Sequence, residues 1–362
     1  MSSQRSGPVI VGVAVVVALA LVAVMASLVV GSLADDNGDR PDAGSKRPGN
    51  AAGPSVSSTP SAAAPTPSAS AGNGLDGRSP FTGEEIDRPA PVLAVKIDNH
   101  RAARPHAHID DADIVYVEPV EARLSRLLAI YSSKLPEAIG PIRSARESDL
   151  SLLRQFGKPA FAYSGSNAIV DRLVRDARVF NLSHELVDEP YFRSGRRSAP
   201  HNLYARPEKL LALAPEASVA RDIGFRFGPD PGDGRPTKER SVDMGAFRIT
   251  FIWSADEQRW LIDMDGRHYL SSDGGRRPGP QTVVIQEVEL RDSEHKALRD
   301  RGSPYVETVG NGRVTVLRDG QSFTGTWHRE SADDGTTFRR ADGEPMLFAP
   351  GQVWVVLRER PS

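Results

Sequence analysis

The chain of 362 residues contains no cysteine. This absence excludes disulfide bonds, thiolate zinc sites, a cysteine nucleophile and the lipid-modified cysteine of bacterial lipoprotein anchors. The chain also lacks an excess of basic charge, since 45 Lys and Arg residues face 47 Asp and Glu residues. That balance argues against a general nucleic-acid-binding protein, so no nucleic acid is predicted as a partner. Walker, Gly-x-Gly-x-x-Gly and His-Glu-x-x-His motifs are absent too, and no cofactor is predicted.

One long apolar segment lies near the N-terminus. Residues 9–33 are mainly Val, Ala, Leu and Ile, a length that crosses the roughly 30 Å hydrocarbon layer of a membrane as a helix. Arg5 precedes the segment and acidic residues follow it, so residues 1–8 are predicted to form a cytoplasmic tail. We therefore predict a single-pass protein of the cell membrane, with its N-terminus inside and its globular domains outside. The alternative is a signal peptide cleaved near Ala34, which would give a secreted protein.

Composition divides the rest of the chain. Residues 34–79 are rich in Pro, Ser, Ala and Gly, which predicts a disordered linker. Residues 80–227 mix strand-like and helix-like segments, which predicts an α/β or α+β N-terminal globular domain. A stretch rich in Gly, Pro and Asp predicts a second linker at 228–240. Residues 241–360 have the pattern of short strands bounded by turns, which predicts a smaller, largely antiparallel β-rich domain.

The apolar runs predict individual elements. In the first domain, strands are predicted at 92–97, 113–118, 127–131 and 161–164, and a helix at 168–174. Ser144 is predicted to cap a further helix, because Glu147 stands three residues later, as in a capping box. In the second domain, strands are predicted at 247–253, 259–264, 282–290, 314–317 and 353–357.

Polar residues of the first domain concentrate where strands end and helices begin, the edge at which α/β folds commonly bind ligands. Arg143 and Arg146 would place two guanidinium groups beside a helix N-terminus, a combination that suits phosphate or carboxylate. The alternative is an internal Arg–Glu network that ties loops together without a ligand. The predicted ligand site comprises Asp98, Asn99, Glu118, Glu121, Arg126, Arg143, Arg146, His201 and Asn202.

An enzymatic interpretation also starts from His201. As a general base it would activate Ser166, which follows Gly165 at a predicted strand-to-helix turn, or act together with carboxylates. The surrounding sequence is not a Gly-x-Ser-x-Gly elbow, so a hydrogen-bonded structural His201 is the alternative. Enzymatic activity and catalytic residues therefore stay open.

His106 and His108 have the composition of a metal-binding segment, with acidic residues nearby. On an extended segment the two rings would point the same way. Two ligands from one segment do not define a metal site, so we predict a solvated loop and no metal.

These motifs resemble the YerB-like family of bacterial envelope proteins, a two-domain family of unknown biochemical function. The resemblance covers residues 80 to 360. In the first domain it rests on Val95-Lys96-Ile97-Asp98-Asn99, Arg104-Pro105, Ala112-Asp113-Ile114-Val115-Tyr116, Glu118, Glu121, Arg126, Gly140-Pro141-Ile142-Arg143-Ser144-Ala145-Arg146 and Pro200-His201-Asn202-Leu203-Tyr204. In the second domain it rests on Val309-Gly310-Asn311-Gly312, Gly325-Thr326-Trp327 and Pro350-Gly351-Gln352-Val353-Trp354.

The resemblance implies an envelope location and a two-domain architecture. The chain departs from the family at two points. Members are often lipoproteins, whereas this chain has no cysteine, and they commonly carry glutamine at the position of His106. The combined prediction is a membrane-anchored extracytoplasmic protein that binds an anionic cell-wall or lipid-phosphate ligand, or a protein partner. The alternatives are an envelope hydrolase that uses Ser166 or carboxylates with His201, and a scaffold protein.

Overall fold

A computed structural model describes residues 77–272 and 275–361 of the chain. The predicted cytoplasmic tail at 1–8, the predicted transmembrane helix at 9–33 and nearly all of the predicted linker at 34–79 lie outside these residues. Within the described part, no helix combines the length and the apolar character needed to cross a bilayer.

The described chain up to residue 227 mixes strands and helices. Its strands are β1 (Leu93–Asp98), β2 (Ile114–Pro119), β3 (Ser125–Tyr131), β4 (Ala160–Ala162), β5 (Phe180–Asn181), β6 (Tyr191–Arg193), β7 (Leu203–Ala205) and β8 (Arg226–Phe227). Its α-helices are α1 (Glu147–Leu153), α2 (Ala168–Asp176) and α3 (Pro207–Ala212). The strands and the helix predicted for this half are confirmed to within a few residues.

The second half of the chain is mostly strand. Its elements are β9 (Arg235–Pro236), β10 (Glu239–Asp243), β11 (Arg248–Ser254), β12 (Arg259–Met264), β13 (Arg267–His268), β14 (Thr282–Asp292), α4 (Lys296–Arg299), β15 (Pro304–Glu307), β16 (Gly310–Arg318), β17 (Gln321–Arg329), β18 (Thr337–Arg340), β19 (Leu347–Phe348) and β20 (Val353–Glu359). The β-rich character predicted for this half is confirmed.

Strands from both halves form one large sheet. Its order is β18-β17-β16-β14-β20-β2-β3-β1-β4-β5, and β15 and β9 pair with β14 and β17. β20 lies between β14 and β2 and is parallel to both, so Val353 is the partner of Thr282 on one side and of Ile114 on the other. The second half, predicted to be largely antiparallel, thus has a parallel strand at β20. The physical reason is that residues 353–357 are continuously apolar and buried on both faces, as in a central parallel strand.

Helix α1 begins later than the sequence predicts. Ser144 does not cap it. Arg146 is the N-cap residue, and its backbone N–H donates to Oδ2 of Asp149 at 2.7 Å. The reason is that backbone bonds hold the preceding segment extended, since Arg143 N donates to Lys96 O at 2.8 Å and Ala145 N donates to Gly165 O at 3.1 Å.

The two faces of the central strands β1–β3 pack against different layers. On one face, residues such as Val95 and Val117 share a core with Phe251 and Trp260 of the four-stranded sheet β10–β13. On the other face, residues such as Leu128 share a core with side chains of α1 and α2. Toward one end of the strands, this second face becomes polar.

Candidate functional site

The polar end of the helix-covered face is built from neighbouring strands. Arg126 of β3 is the register partner of both Asp98 of β1 and Glu118 of β2. Because directly paired residues of an antiparallel sheet project to the same side, these three side chains share one face. Lys96, two positions before Asp98, shares that face as well. The structure thus brings together polar residues from three strands, as the clustering at strand ends predicts.

Asp98 lies at the centre of this arrangement, fully buried. Its Oδ2 accepts a hydrogen bond from Nδ1 of His201 at 2.7 Å, and its Oδ1 accepts one from the backbone N–H of His100 at 3.1 Å. Arg126 Nη1 lies 3.7 Å from Oδ1, and Arg143 Nε lies 3.5 Å from Oδ2. Burial alone would raise the pKa of Asp98, but the charge of Arg126 and the hydrogen bond from His201 hold that pKa below its ordinary value. Asp98 is therefore ionised at neutral pH. We call these five residues the Asp98 cluster.

The two arginines of the Asp98 cluster have donors that the described residues do not satisfy. In residues 77–272 and 275–361, the Nε atoms of Arg126 and Arg143 are buried and have no hydrogen-bond partner. Arg126 is 8% exposed, and among the described residues its guanidinium donates only from Nη1, to Ser125 O at 2.9 Å. One carboxylate thus faces two guanidinium groups, which leaves one positive charge without a partner inside the Asp98 cluster. Unpaired buried donors are costly, and an anion is the partner that suits them best.

Arg146 and Glu121, both predicted as ligand residues, bind each other in the structure. Nε and Nη2 of Arg146 both donate to Oε2 of Glu121, at 2.9 and 2.8 Å. Its Nη1 donates to Ala145 O at 2.9 Å. The alternative of an internal Arg–Glu network therefore describes this pair, which braces the loop after β2 against the start of α1.

Glu118, also predicted as a ligand residue, belongs to a fully buried group with Lys96 and Asp149. Lys96 Nζ donates to Glu118 Oε2 and, at 2.5 Å, to Asp149 Oδ1. Oε1 of Glu118 has no hydrogen-bond partner within the described part of the chain. Burial raises the pKa of Glu118 to about 8, despite the opposing charge of Lys96 and with a contribution from Asp149. This group joins β1, β2 and α1. Sequence reasoning missed Lys96 and Asp149, although a lysine within an apolar strand is a usable signal.

Asn99 and Asn202 hold loops in place. Asn99 donates from Nδ2 to Ser125 Oγ at 2.8 Å and accepts from Arg104 Nε at 3.1 Å. Asn202 donates from Nδ2 to Arg197 O at 3.0 Å. Both amides are therefore engaged within the protein, on the loops that flank the Asp98 cluster, and their ligand role stays a prediction.

His201 and His100 form a stacked pair, with ring centroids 4.6 Å apart and planes inclined by 12°. Nδ1 of His201 donates to Asp98, so Nε2 carries the lone pair of the neutral ring. Nδ1 of His100 accepts the backbone N–H of Ala102 at 3.2 Å, so the neutral ring carries its proton on Nε2. Neither Nε2 has a hydrogen-bond partner among the described residues. Sequence reasoning missed His100, because nothing local distinguishes it from a surface histidine.

The predicted pairing of Ser166 with His201 is absent. The hydroxyl of Ser166 donates to Oδ1 of Asp171 in α2, whereas His201 is bound to Asp98. A serine–histidine nucleophile is therefore not formed in this structure. The other arrangement considered for a hydrolase, a carboxylate with His201, is present.

His106 is not in a solvated loop, contrary to prediction. Its ring is 1% exposed, with Nε2 donating to Asp98 O at 2.8 Å and Nδ1 accepting from Tyr269 Oη at 2.6 Å. Burial and the nearby charge of Arg104 lower the pKa of His106 to about 3, so the ring is neutral. His108 pairs separately with Asp111 at 3.1 Å. Among residues 77–272 and 275–361, no group of three or more His, Cys, Asp or Glu side chains is suited to hold a metal ion.

Fold and motifs define a two-domain, β-rich class of protein. Residues 80–220 match the N-terminal domain, and residues 241–355 the C-terminal domain, of a family described as protein of unknown function (DUF3048). The chain belongs to this family, the YerB-like family, which confirms the predicted membership.

The chain is similar to a protein from Bacillus subtilis (strain 168) named putative lipoprotein YerB. The two are 23% identical over 294 residues, which is 77% of this chain and 85% of YerB. The crystal structure of YerB from Bacillus subtilis matches with a TM-score of 0.68 and 21% identity, covering 77% of this chain and 96% of that one. The structural likeness establishes a shared fold.

Proposed function

We propose that this protein binds an anionic ligand of the cell envelope, a phosphate or a carboxylate, at the Asp98 cluster. The observation that carries the proposal is the pair of buried, unpartnered Nε atoms of Arg126 and Arg143 beside a single carboxylate. An anion at this point would supply the missing acceptors and balance the remaining positive charge. Charge-assisted hydrogen bonds of this kind are short and strong.

The hydrogen bonds of Arg146 limit the proposed ligand site to the other two predicted arginines. The guanidinium of Arg146 donates to Glu121 and to backbone carbonyl groups. Arg126 and Arg143 keep donors available. We therefore assign ligand binding to these two residues and a bracing role to Arg146.

The proposal includes a location outside the cytoplasmic membrane. The predicted transmembrane helix at 9–33 supports it, as does the name of YerB, which describes a putative lipoprotein. A lipid anchor needs a cysteine that this chain lacks, so the apolar helix would take over the anchoring role.

The test uses the full chain in nanodiscs of zwitterionic lipid. Isothermal titration with inorganic phosphate and with acetate compares unmutated protein with an Arg126→Gln, Arg143→Gln double variant. We expect the double variant to bind at least about tenfold more weakly, because it loses charge-assisted hydrogen bonds to the anion. Arg172→Gln is the matched control, since this exposed arginine of α2 has no ion pair or side-chain hydrogen bond among the described residues. Equal binding by the double variant and the control would refute the proposal.

Two further titrations distinguish the sources of the anion. Vesicles that contain phosphatidylglycerol present a lipid phosphate, and soluble cell-wall fragments present wall anions. Preference for one of them, lost in the double variant, identifies the ligand class. Binding to neither, with phosphate still bound, would indicate an anionic protein partner.

A further inference from the structure

The orientation of His201 suggests chemistry beyond binding. Its Nδ1 is fixed by the buried carboxylate of Asp98, and the opposite nitrogen, Nε2, has no hydrogen-bond partner in the described part of the chain. The side chain is 19% exposed, so solvent reaches it. A carboxylate that fixes one nitrogen of an imidazole leaves the other as a general base and stabilises the imidazolium that forms.

His100 supplies the complementary group. Its Nδ1 accepts the backbone N–H of Ala102, which leaves Nε2–H as a hydrogen-bond donor. The two rings are stacked at 4.6 Å. The Asp98 cluster thus places a base and a hydrogen-bond donor side by side. A substitution reaction also needs a proton for the leaving group, and the imidazolium formed on His201 supplies it.

The position of the anion defines the reacting atom. Oδ2 of Asp98 contacts both His201 Nδ1 and Arg143 Nε, so a group bound by Arg143 lies next to the imidazole. A carboxylate in that position has no bond to hydrolyse at its own carbon, whereas a phosphate ester does. The single uncompensated positive charge matches the single negative charge of a phosphodiester.

We propose that the Asp98 cluster hydrolyses a phosphodiester, an inference that rests on the proposed anion binding. Water attacks phosphorus as Nε2 of His201 takes one of its protons. The bond from phosphorus to one ester oxygen breaks, and that oxygen, which accepts a hydrogen bond from Nε2–H of His100, takes the proton that Nε2 of His201 received from water. The products are a phosphomonoester and an alcohol, and His201 is back in its starting state. Arg126 and Arg143 stabilise the charge on the phosphoryl oxygens.

The test measures hydrolysis of bis(p-nitrophenyl) phosphate by the full chain in nanodiscs. His201→Asn keeps a donor toward Asp98 and removes the base, so we expect kcat to fall by about 100-fold or more. His100→Phe keeps the stacked ring and removes the hydrogen-bond donor to the leaving oxygen, so we expect a smaller loss, about tenfold. Arg172→Gln should retain full activity.

Titration with inorganic phosphate separates the two proposals. Phosphate binding by His201→Asn within about threefold of the unmutated protein, together with lost turnover, supports the catalytic assignment. If the unmutated protein binds phosphate but shows no turnover, this inference is overturned and the proposed function stands. A fully active His201→Asn variant has the same consequence. Absence of phosphate binding in the unmutated protein overturns both.

Discussion

The side chains of Asp98 and His201 meet at 2.7 Å although 103 positions separate them in the chain. This contact holds the loop before β7 against the end of β1, and it fixes which nitrogen of the imidazole faces outward. The same carboxylate faces the guanidinium groups of Arg126 and Arg143. The orientation of the His201 ring and the spacing of the two guanidinium groups therefore both depend on the buried carboxylate of Asp98.

Asp98→Asn should lower the free energy of unfolding by about 3 kcal/mol, because it leaves two guanidinium groups without their carboxylate. Urea denaturation at neutral pH measures the change. Asp176→Asn, at the exposed end of α2, removes the same charge and should change the free energy by less than about 0.5 kcal/mol. An unchanged free energy of unfolding in Asp98→Asn would show that solvent, without Asp98, stabilises the charges of the two arginines.

Glu118 should make stability fall as pH rises. Its pKa lies near 8 in the folded protein and near 4.5 when exposed, so between these values the folded state holds a proton that the unfolded state has lost. The contribution of Glu118 is therefore fully present below about pH 4.5 and declines by at most about 1.4 kcal/mol per pH unit up to about pH 8.

Urea denaturation across this pH range, in unmutated protein and in Glu118→Gln, isolates this contribution. The variant should show a flatter pH dependence, since its amide does not titrate. Glu208→Gln, on the exposed side of α3, should behave like the unmutated protein. An unchanged slope in Glu118→Gln would mean that Glu118 is already ionised in the folded state.

Arg329→Met should be strongly destabilising. The guanidinium of Arg329 is fully buried and donates to Ser151 O, Thr308 Oγ1 and Asp334 O, each at 3.0 Å. Methionine fills a similar volume but leaves these acceptors without donors, so we expect a loss of about 3 kcal/mol in the free energy of unfolding. Arg301→Met, at an exposed position, is the control for loss of charge. Thermal and urea denaturation should agree, and a loss no larger than that of the control would contradict the assignment.

A fragment of residues 77–240 should not fold by itself. Without β20, strand β2 presents an unpaired edge and buried residues such as Ile114 and Tyr116 lose the neighbour that covers them. Circular dichroism with urea should show no cooperative transition for the fragment, in contrast to residues 77–361. A cooperative transition would show that the first domain is stable on its own.

Local sequence patterns predicted the elements around the Asp98 cluster well. The strand ending at Asp98, the strand before Glu118 and the helix after Arg146 follow from apolar periodicity, which acts over a few neighbouring residues. Their polar ends were expected to converge, because strand ends of one sheet lie along one edge.

The choice of partners was beyond local patterns. Arg146 and Arg143 stand three residues apart in one motif, yet Arg146 is bound by Glu121, whereas Nε of Arg143 has no hydrogen-bond partner among the described residues. Which arginine does which depends on side-chain positions set by the packed fold. For the same reason, the sequence around His106 does not predict the burial of its ring against Tyr269, because the two residues are 163 positions apart.

The place of β20 has a consequence for how the chain reaches its final form. This strand follows every other strand in the sequence but lies at the middle of the sheet, between β14 and β2. During synthesis or passage across a membrane, the N-terminal strands emerge while their central neighbour is still missing. The two halves can join into one sheet only after β20 arrives, so until then the exposed edge of β2 is a place where a protective chaperone would act.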